Sequence, residues 1–321
     1  MNSGSGIGTT LAAWCFLVLG GAMSRAEAPN AEAGRKAVEK GLQFLQKDAA
    51  KWRQEKKCAN CHHGVMTVWA FSEAKATGFA VAPEVVAENV KWTKNTLEKI
   101  DQPRDSRPGF SMLSTPALFL SAMALGASNQ DALSADELKR IGAHLVRHQE
   151  KDGSWAWSSA PAQNRPPPVF ESDEVATLIA YSALEPGEKA EPKEKTEIRE
   201  SRQWAAAWLA KTKPSDTTQG ALLQLLVKSR SGESAESMRK PIEAVMARQN
   251  KDGGWSQVKE SPSDAFATGQ ALYVLRQVGV EKDRAELQRG VAFLVKKQKE
   301  DGSWPMASRA QPGATPFKNP V

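Results

Sequence analysis

The stretch Lys-Lys-Cys-Ala-Asn-Cys-His-His-Gly, residues 56–64, gathers two of the three cysteines and two of the four histidines of the chain. Cys58, Cys61 and His62 stand in the Cys-x-x-Cys-His order in which two thioethers hold a porphyrin and the next residue ligates its iron, the signature of covalent c-type haem. The same residues allow two other chemistries. Cys58 and Cys61 can close a disulfide, and close pairs of this kind are often redox-active. Cys58, Cys61, His62 and His63 can also hold zinc, although four ligands within six residues are crowded. A sixth ligand for a haem iron is not evident: Met66 lies one turn beyond His62, and Met112, Met123 and His144 qualify only if the fold brings them close. His144 and His148 have the i, i+4 spacing of a chelating pair, but their positions read as one packed and one surface histidine.

Haem attachment and disulfides both belong outside the cytosol. The start of the chain agrees. Leu11 to Met23 is an apolar run of signal-peptide length, and Ala26-Glu27-Ala28 supplies a small-residue cleavage pattern, so residues 1–28 are expected to be a signal peptide. The segment before the run lacks Lys and Arg, a departure from the usual pattern. Cleavage would remove Cys15 and leave only Cys58 and Cys61 in an exported, periplasmic or extracellular chain. No later segment is long and apolar enough to span a bilayer. A net charge of +6 allows peripheral contact with anionic surfaces. There is no nucleic-acid motif, and the basic residues are spread through helical segments such as Val-Lys-Lys-Gln-Lys-Glu.

The elements that would position these residues come from an internal repeat. Leu-Val-Arg-His-Gln-Glu-Lys-Asp-Gly-Ser-Trp ends at Trp155, and closely similar segments end at Trp255 and Trp304. A Gln precedes each Trp by six residues, at Gln149, Gln249 and Gln298. These lie 100 and 49 residues apart, so the period is about 50, the sign of stacked supersecondary units. Upstream of each Gln the apolar residues have helical spacing; Asp-Gly then ends the helix. The Trp is expected to cover that turn. Each turn is followed by a less charged segment, from Asp173, Asp216 and Asp264, that reads as a helix apolar nearly all round, hence buried. Weaker copies begin at Thr115 and Val65. No segment alternates as a strand does. The expectation is an all-α chain of about five helical hairpins plus an unpaired last outer helix, each hairpin with an outer amphipathic and an inner buried helix. Residues 160–172 and 185–197 read as surface loops within the array.

The Gln-x-x-Asp-Gly-(Ser/Gly)-Trp segments resemble the QW repeats of squalene-hopene cyclases, oxidosqualene cyclases and protein prenyltransferase β subunits. That resemblance, from about Ala37 to Trp304, implies an α/α toroid over residues 29–304, in which inner helices line a central cavity able to hold a hydrophobic or isoprenoid small molecule. It also implies a candidate acid. Pro-Ser-Asp-Thr-Thr-Gln-Gly-Ala, residues 214–221, is similar to the Ser-Asp-Cys-Thr-Ala form of the cyclase acid motif, with Asp216 at the place of the carboxylic acid that protonates an alkene or epoxide. Ser-Asp recurs at Ser172-Asp173 and Ser263-Asp264, which makes Asp216, Asp173 and Asp264 equally readable as helix caps. A prenyltransferase zinc site is excluded, because no Cys follows Cys61.

Gln46 and Trp52 repeat the six-residue spacing without Asp-Gly and read as a degenerate first copy. Aligning the inner helices on Ala70, Ala180 and Ala271 puts His63 in the slot held by Asp173 and Asp264, at one mouth of the toroid. The Cys58–His62 site is therefore expected at that mouth. After Trp304 the chain offers no further inner helix, so residues 305–321 read as a disordered tail, and a gap is expected in the inner ring. The functional expectation is an exported toroid without cyclase chemistry that carries a haem, metal or redox site; the alternatives are a terpenoid cyclase using Asp216 and a scaffold or ligand-binding toroid with a structural disulfide.

Overall fold

The computed structural model describes residues 31–55, 62–95, 97, 133–155, 171–185 and 192–305. Residues 1–28, expected to be a signal peptide, Cys58, Cys61, the segment from Thr115 and residues 306–321, expected to be a disordered tail, lie outside these residues. All elements described are helices: α1 (Ala31–Glu55), α2 (His62–Ala76), α3 (Pro83–Lys94), α4 (Ala135–Arg147), α5 (Asp173–Ala183), α6 (Pro192–Lys211), α7 (Thr218–Arg230), α8 (Ala235–Met246), α9 (Ala265–Gln277) and α10 (Ala285–Lys297). There is no strand among them.

The helices sort into two layers by burial. In α5, nine of eleven residues are buried, Glu174 and Thr177 among them, as an inner helix covered on most sides requires. By contrast α4 buries one stripe, Ile141, Gly142, His144 and Leu145, with Leu138 and Val146 half-buried beside it, and exposes most of the rest, as an outer helix does. The inner helices α5, α7 and α9 pack side by side, and each touches outer neighbours: α6 beside α5, α8 beside α7, α10 beside α9. The core lies between the layers, with Trp155, Val175, Ile179 and Leu145 in one cluster and Trp255, Leu222, Leu275 and Val245 in another.

Each complete Gln–Trp segment is a small hydrogen-bonded machine. The Trp indole turns back under its own helix and donates to a carbonyl ten residues earlier: Trp155 to Leu145 O, Trp255 to Val245 O and Trp304 to Leu294 O. Those carbonyls lie in the last turn of each helix, and the ring of Trp255 is fully buried there. The Asp closes the turn on the residue two positions on, through Ser154 N, Gly254 N and Ser303 N. The intervening glycines have φ of 95°, 89° and 91°, the left-handed region that other residues rarely adopt. They also touch the next outer helix: a Cβ on Gly253 would lie 2.8 Å from Arg289 O.

The Gln joins the turn to that neighbour. Gln149 Nε2 donates to Gly153 O at 2.9 Å and to Ser201 O of α6 at 2.8 Å. Gln249 Nε2 does the same to Gly253 O and to Glu286 O of α10. Gln298 Nε2 reaches Gly302 O and, at 2.8 Å, Ala37 O of α1. A second link runs inward. The backbone N–H of Trp155 donates to Thr177 Oγ1 in α5, and that of Trp255 donates to Thr268 Oγ1 in α9.

Four expectations are corrected. Gln46 and Trp52 lie inside the continuous helix α1, and Gln46 Nε2 donates only to Leu42 O of its own helix; without Asp-Gly nothing stops the helix, and Ala49 and Ala50 favour its continuing. The inner ring has no gap between its last and first described helices, because Tyr273 of α9 meets Trp69 and Glu73 of α2. Residues 192–197, read as loop, are the opening of α6, with Pro192 at a position where its missing N–H costs nothing. His63 lies within α2 rather than in a capping slot.

Candidate functional site

At the ends where the inner helices begin, the caps are made by the residues that the chemistry of short polar side chains favours. Ser172 accepts from Val175 N and caps α5, so Asp173 becomes its first helical residue. Asp264 caps α9, accepting from Ala267 N at 2.9 Å and from Gln257 Nε2 at 3.1 Å. In the segment matched to the cyclase acid motif, Thr217 is the cap, accepting from Gly220 N. Asp216 precedes that cap and is exposed; Arg248 Nη1 donates to the backbone carbonyls of Asp216 and Thr217. The capping role read for Asp216 thus belongs to its neighbour.

His62 opens α2, and His63 follows it in the same helix; their side chains, like Cys58 and Cys61, lie outside the described residues. His144 is buried in α4 and stacks on half-buried His148, ring centroids 4.0 Å apart, with His148 Nδ1 2.8 Å from His144 O. His144 is packed, as expected, whereas His148 is half-buried against it rather than at the surface. Among the described residues no group of three or more His, Cys, Asp and Glu is arranged to hold a metal ion. None of the described helices is long and apolar enough to cross a membrane.

Two polar constellations on the inner helices escaped the sequence reading. Glu174, buried in α5, accepts from Ser215 N at 2.7 Å and from Gln224 Nε2 of α7. It ties the 213–217 loop to the inner ring, and a Cβ on Gly220 would strike Ser215 Oγ, so glycine stands where α5 and α9 carry threonine. The second constellation is where α9 meets α2. Tyr273 Oη donates to Glu73 Oε1 at 3.1 Å, and Trp69 Nε1 lies 3.3 Å from the same oxygen. The Trp69 and Tyr273 rings meet edge to face, with centroids 5.5 Å apart. Burial, reinforced by the Glu73 charge, pushes the Tyr273 phenol up to about 12, with Arg230 pulling weakly the other way. The phenol therefore stays a donor at any physiological pH. Nothing in local sequence announces this pair, whose members stand 200 residues apart.

These side chains share faces. Trp69 and Glu73 lie one turn apart on α2, while Val65, Val68 and Phe71 of the same helix enter the core. On α9, Phe266 and Tyr273 are half-buried, whereas Ala267, Ala271 and Leu275 enter the core beneath. The α2–α9 seam thus brings two aromatic rings and one carboxylate together, half-buried beside the core.

Residues 216–315 match the family model of the squalene-hopene cyclase C-terminal domain. Drimenyl diphosphate synthase of Streptomyces showdoensis is 24% identical over 225 residues, which are 70% of this chain and 33% of that protein. The chain therefore spans about a third of the length of that curated relative. Among solved structures, two variants of the type II terpene cyclase MstE from Scytonema, each in complex with geranylgeranyl dihydroxybenzoate, superpose with TM-scores of 0.51 and 0.50 at 14% identity, over 85% of this chain and 81% of theirs. The chain thus has the α/α-toroid fold of these cyclases, and its residues 216–315 are similar to the squalene-hopene cyclase C-terminal domain.

Proposed function

We propose that this protein is an exported squalene-cyclase-like toroid that holds a hydrophobic isoprenoid molecule without cyclising it, and that Cys58, Cys61 and His62 attach a c-type haem at one mouth. One observation carries the first part: Asp216, the residue matched to the cyclase acid, is exposed. An acid that protonates an alkene must act in a cavity closed to water, so that the proton and the cation that follows are not lost to solvent. Asp264 is committed as a cap, with both carboxylate oxygens accepting hydrogen bonds. The relatives supply the ligand class, since the similar cyclase structures contain an isoprenoid-bearing substrate.

The haem rests on the Cys-x-x-Cys-His order, on the leader, and on His62 opening an inner helix. Cys58 and Cys61 would hold the porphyrin and His62 its iron; a bound haem would supply one-electron chemistry. Protein exported from a host able to attach haem should show a Soret band and a covalent mass increment on the peptide containing Cys58 and Cys61. An unmodified mass with zinc bound, or with a disulfide, overturns the haem and leaves the toroid. Incubation with squalene, oxidosqualene and geranylgeranyl diphosphate should yield no cyclised product; a product abolished by Asp216→Asn overturns the non-cyclising reading.

A further inference from the structure

A lone apolar residue at a protein surface needs no explanation. Trp204 does, because the repeats show what its position otherwise carries. Three turn glycines, Gly153, Gly253 and Gly302, press on the next outer helix at one repeated slot: a Cβ on each would meet the backbone carbonyl of Trp204, Arg289 and Lys40 respectively. Arg289 stands nine residues before Gln298, and the same step back from Gln149 and Gln249 gives Arg140 and Lys240. All five slot residues are exposed. Four are cations, whose heads extend into water, and the fifth is a tryptophan that is 59% exposed. The neighbouring residues keep their character: residues 203–211 read Gln-Trp-Ala-Ala-Ala-Trp-Leu-Ala-Lys, and residues 288–296 read Gln-Arg-Gly-Val-Ala-Phe-Leu-Val-Lys. The turn meets the backbone at this slot, so its geometry does not call for an indole.

The helix α6 sets this tryptophan in an ordered stripe. Ile198, Ser201 and Ala205 are buried on its inward face. On the opposite face Glu200, Trp204, Ala207 and Lys211 are exposed, spaced four, three and four residues apart, as in the seam between two paired helices. The stripe is complementary to its own antiparallel image. In two copies of α6 related by a two-fold axis passing between positions 205 and 206, Glu200 lies opposite the second copy's Lys211, and Trp204 lies opposite its Ala207. Acid meets base at both ends, and each large ring meets a single methyl group. A parallel pair would instead set carboxylate against carboxylate and ring against ring.

We propose that the protein self-associates through α6, as a two-fold dimer of antiparallel α6 helices with Trp204 of each copy seated on Ala207 of the other and Glu200 facing Lys211. Every contact then occurs twice, as an isologous interface requires. The desolvated indoles carry the affinity, and the exposed ion pairs set direction and register more than strength. A second copy is the occupant because the two ends of the seam bear opposite charges in the order its own image needs. One helix seam is a small interface, so the dimer belongs to the weak class and should form at about 10–100 µM protein.

Sedimentation velocity of the full-length protein over about 1–100 µM at low salt, where surface charges are least screened, tests this. The boundary should move from monomer to dimer as concentration rises. Trp204→Arg, which places in α6 the residue type found at the same slot in α10, should weaken the dimer by about tenfold or more with an unchanged melting temperature. Glu200→Lys and Lys211→Glu should each weaken it by about fivefold or more, and the double variant Glu200→Lys/Lys211→Glu should restore it. If Trp204→Arg does not fold, the three charge-reversal proteins decide alone. A monomer at every concentration, a dimer indifferent to Trp204→Arg, or a double variant as weak as the singles overturns the proposal. So does a monomer that floats with phosphatidylglycerol vesicles through Trp204, which would make this face a lipid contact.

Discussion

Gln298 donates to the carbonyl of Ala37, a residue 261 positions earlier in the chain, across 2.8 Å. Gln149 and Gln249 make the same bond to the next outer helix along the chain, at Ser201 and Glu286. The last clamp thus uses the first helix as its next neighbour, and the outer layer closes on itself by repeating a rule already in use. Trp304 seals the joint against Gly41.

Closure predicts unequal costs for equal substitutions. Gln298→Ala should lower stability by about 1–3 kcal/mol, the cost of leaving half-buried carbonyls without a donor. Because α1 is held at this joint, the same variant should also increase hydrogen exchange in α1, which Gln149→Ala should not do. Urea unfolding with exchange mass spectrometry checks both; unchanged exchange in α1 counts against the closure.

The Trp255 indole donates to Val245 O from a fully buried position. Trp255→Phe should cost about 1–3 kcal/mol through the orphaned carbonyl, and Trp255→Ala about 3–5 kcal/mol, with the cavity added. Gly253→Ala should cost at least about 1–3 kcal/mol, since φ is 89° and the new Cβ would meet Arg289 O. Thermal or urea denaturation measures all three, and a Gly253→Ala protein as stable as the parent contradicts the turn geometry.

Acid should loosen the turns. The amide and hydroxyl of Ser154 hold Asp152 below the usual aspartate range, and the Ser303 hydroxyl and amide do the same for Asp301. A carboxyl depressed in the folded state stabilises the fold above its unfolded value, about 3.9, and that contribution disappears as pH falls through the folded value. The urea midpoint should therefore decline as pH falls below about 4, and Asp152→Asn with Asp301→Asn should flatten that decline. A decline of the same steepness in the double variant would assign it to other carboxylates.

The chain has two tyrosines, Tyr181 and Tyr273, so a Tyr181→Phe background leaves the Tyr273 phenol alone to be titrated. Tyr273 should ionise at about 12, and Glu73→Gln should bring it down by removing a neighbouring negative charge. Ultraviolet difference absorbance during alkaline titration reads the shift. No movement in Glu73→Gln would mean that burial alone raises the phenol.

The layered architecture was legible because the Gln–Trp segments act locally. The Gln-to-Gly carbonyl bond and the Asp-to-Ser turn close within a few residues, so each copy carries its own evidence. The same spacing at Gln46 and Trp52 misled, since spacing without Asp-Gly does not break a helix. Ring closure was hidden because its acceptor is a backbone carbonyl of α1, which leaves no side-chain signature. Asp216 matched a motif, but capping fell to Thr217, one residue on, a shift that the pattern alone does not distinguish. Glu73 and Tyr273 meet only because the ring closes, so a linear reading had no reason to pair them.

The threonine bonds to the Trp amides have a consequence for the cavity wall. A helix buried on nearly every side, as α5 is, has no hydrophobic stripe to fix its rotation about its own axis. Thr177 provides that fix in α5, and Thr268 adds the same key to the core face of α9, each bonded to one backbone amide in the turn outside it. Tyr273 lies little more than one turn beyond Thr268 on the same rigid cylinder, so its aim toward Glu73 is set by a tryptophan in the outer layer. The wall of this cavity is thus angularly indexed from behind, and its chemistry can change residue by residue without the helices losing their phase.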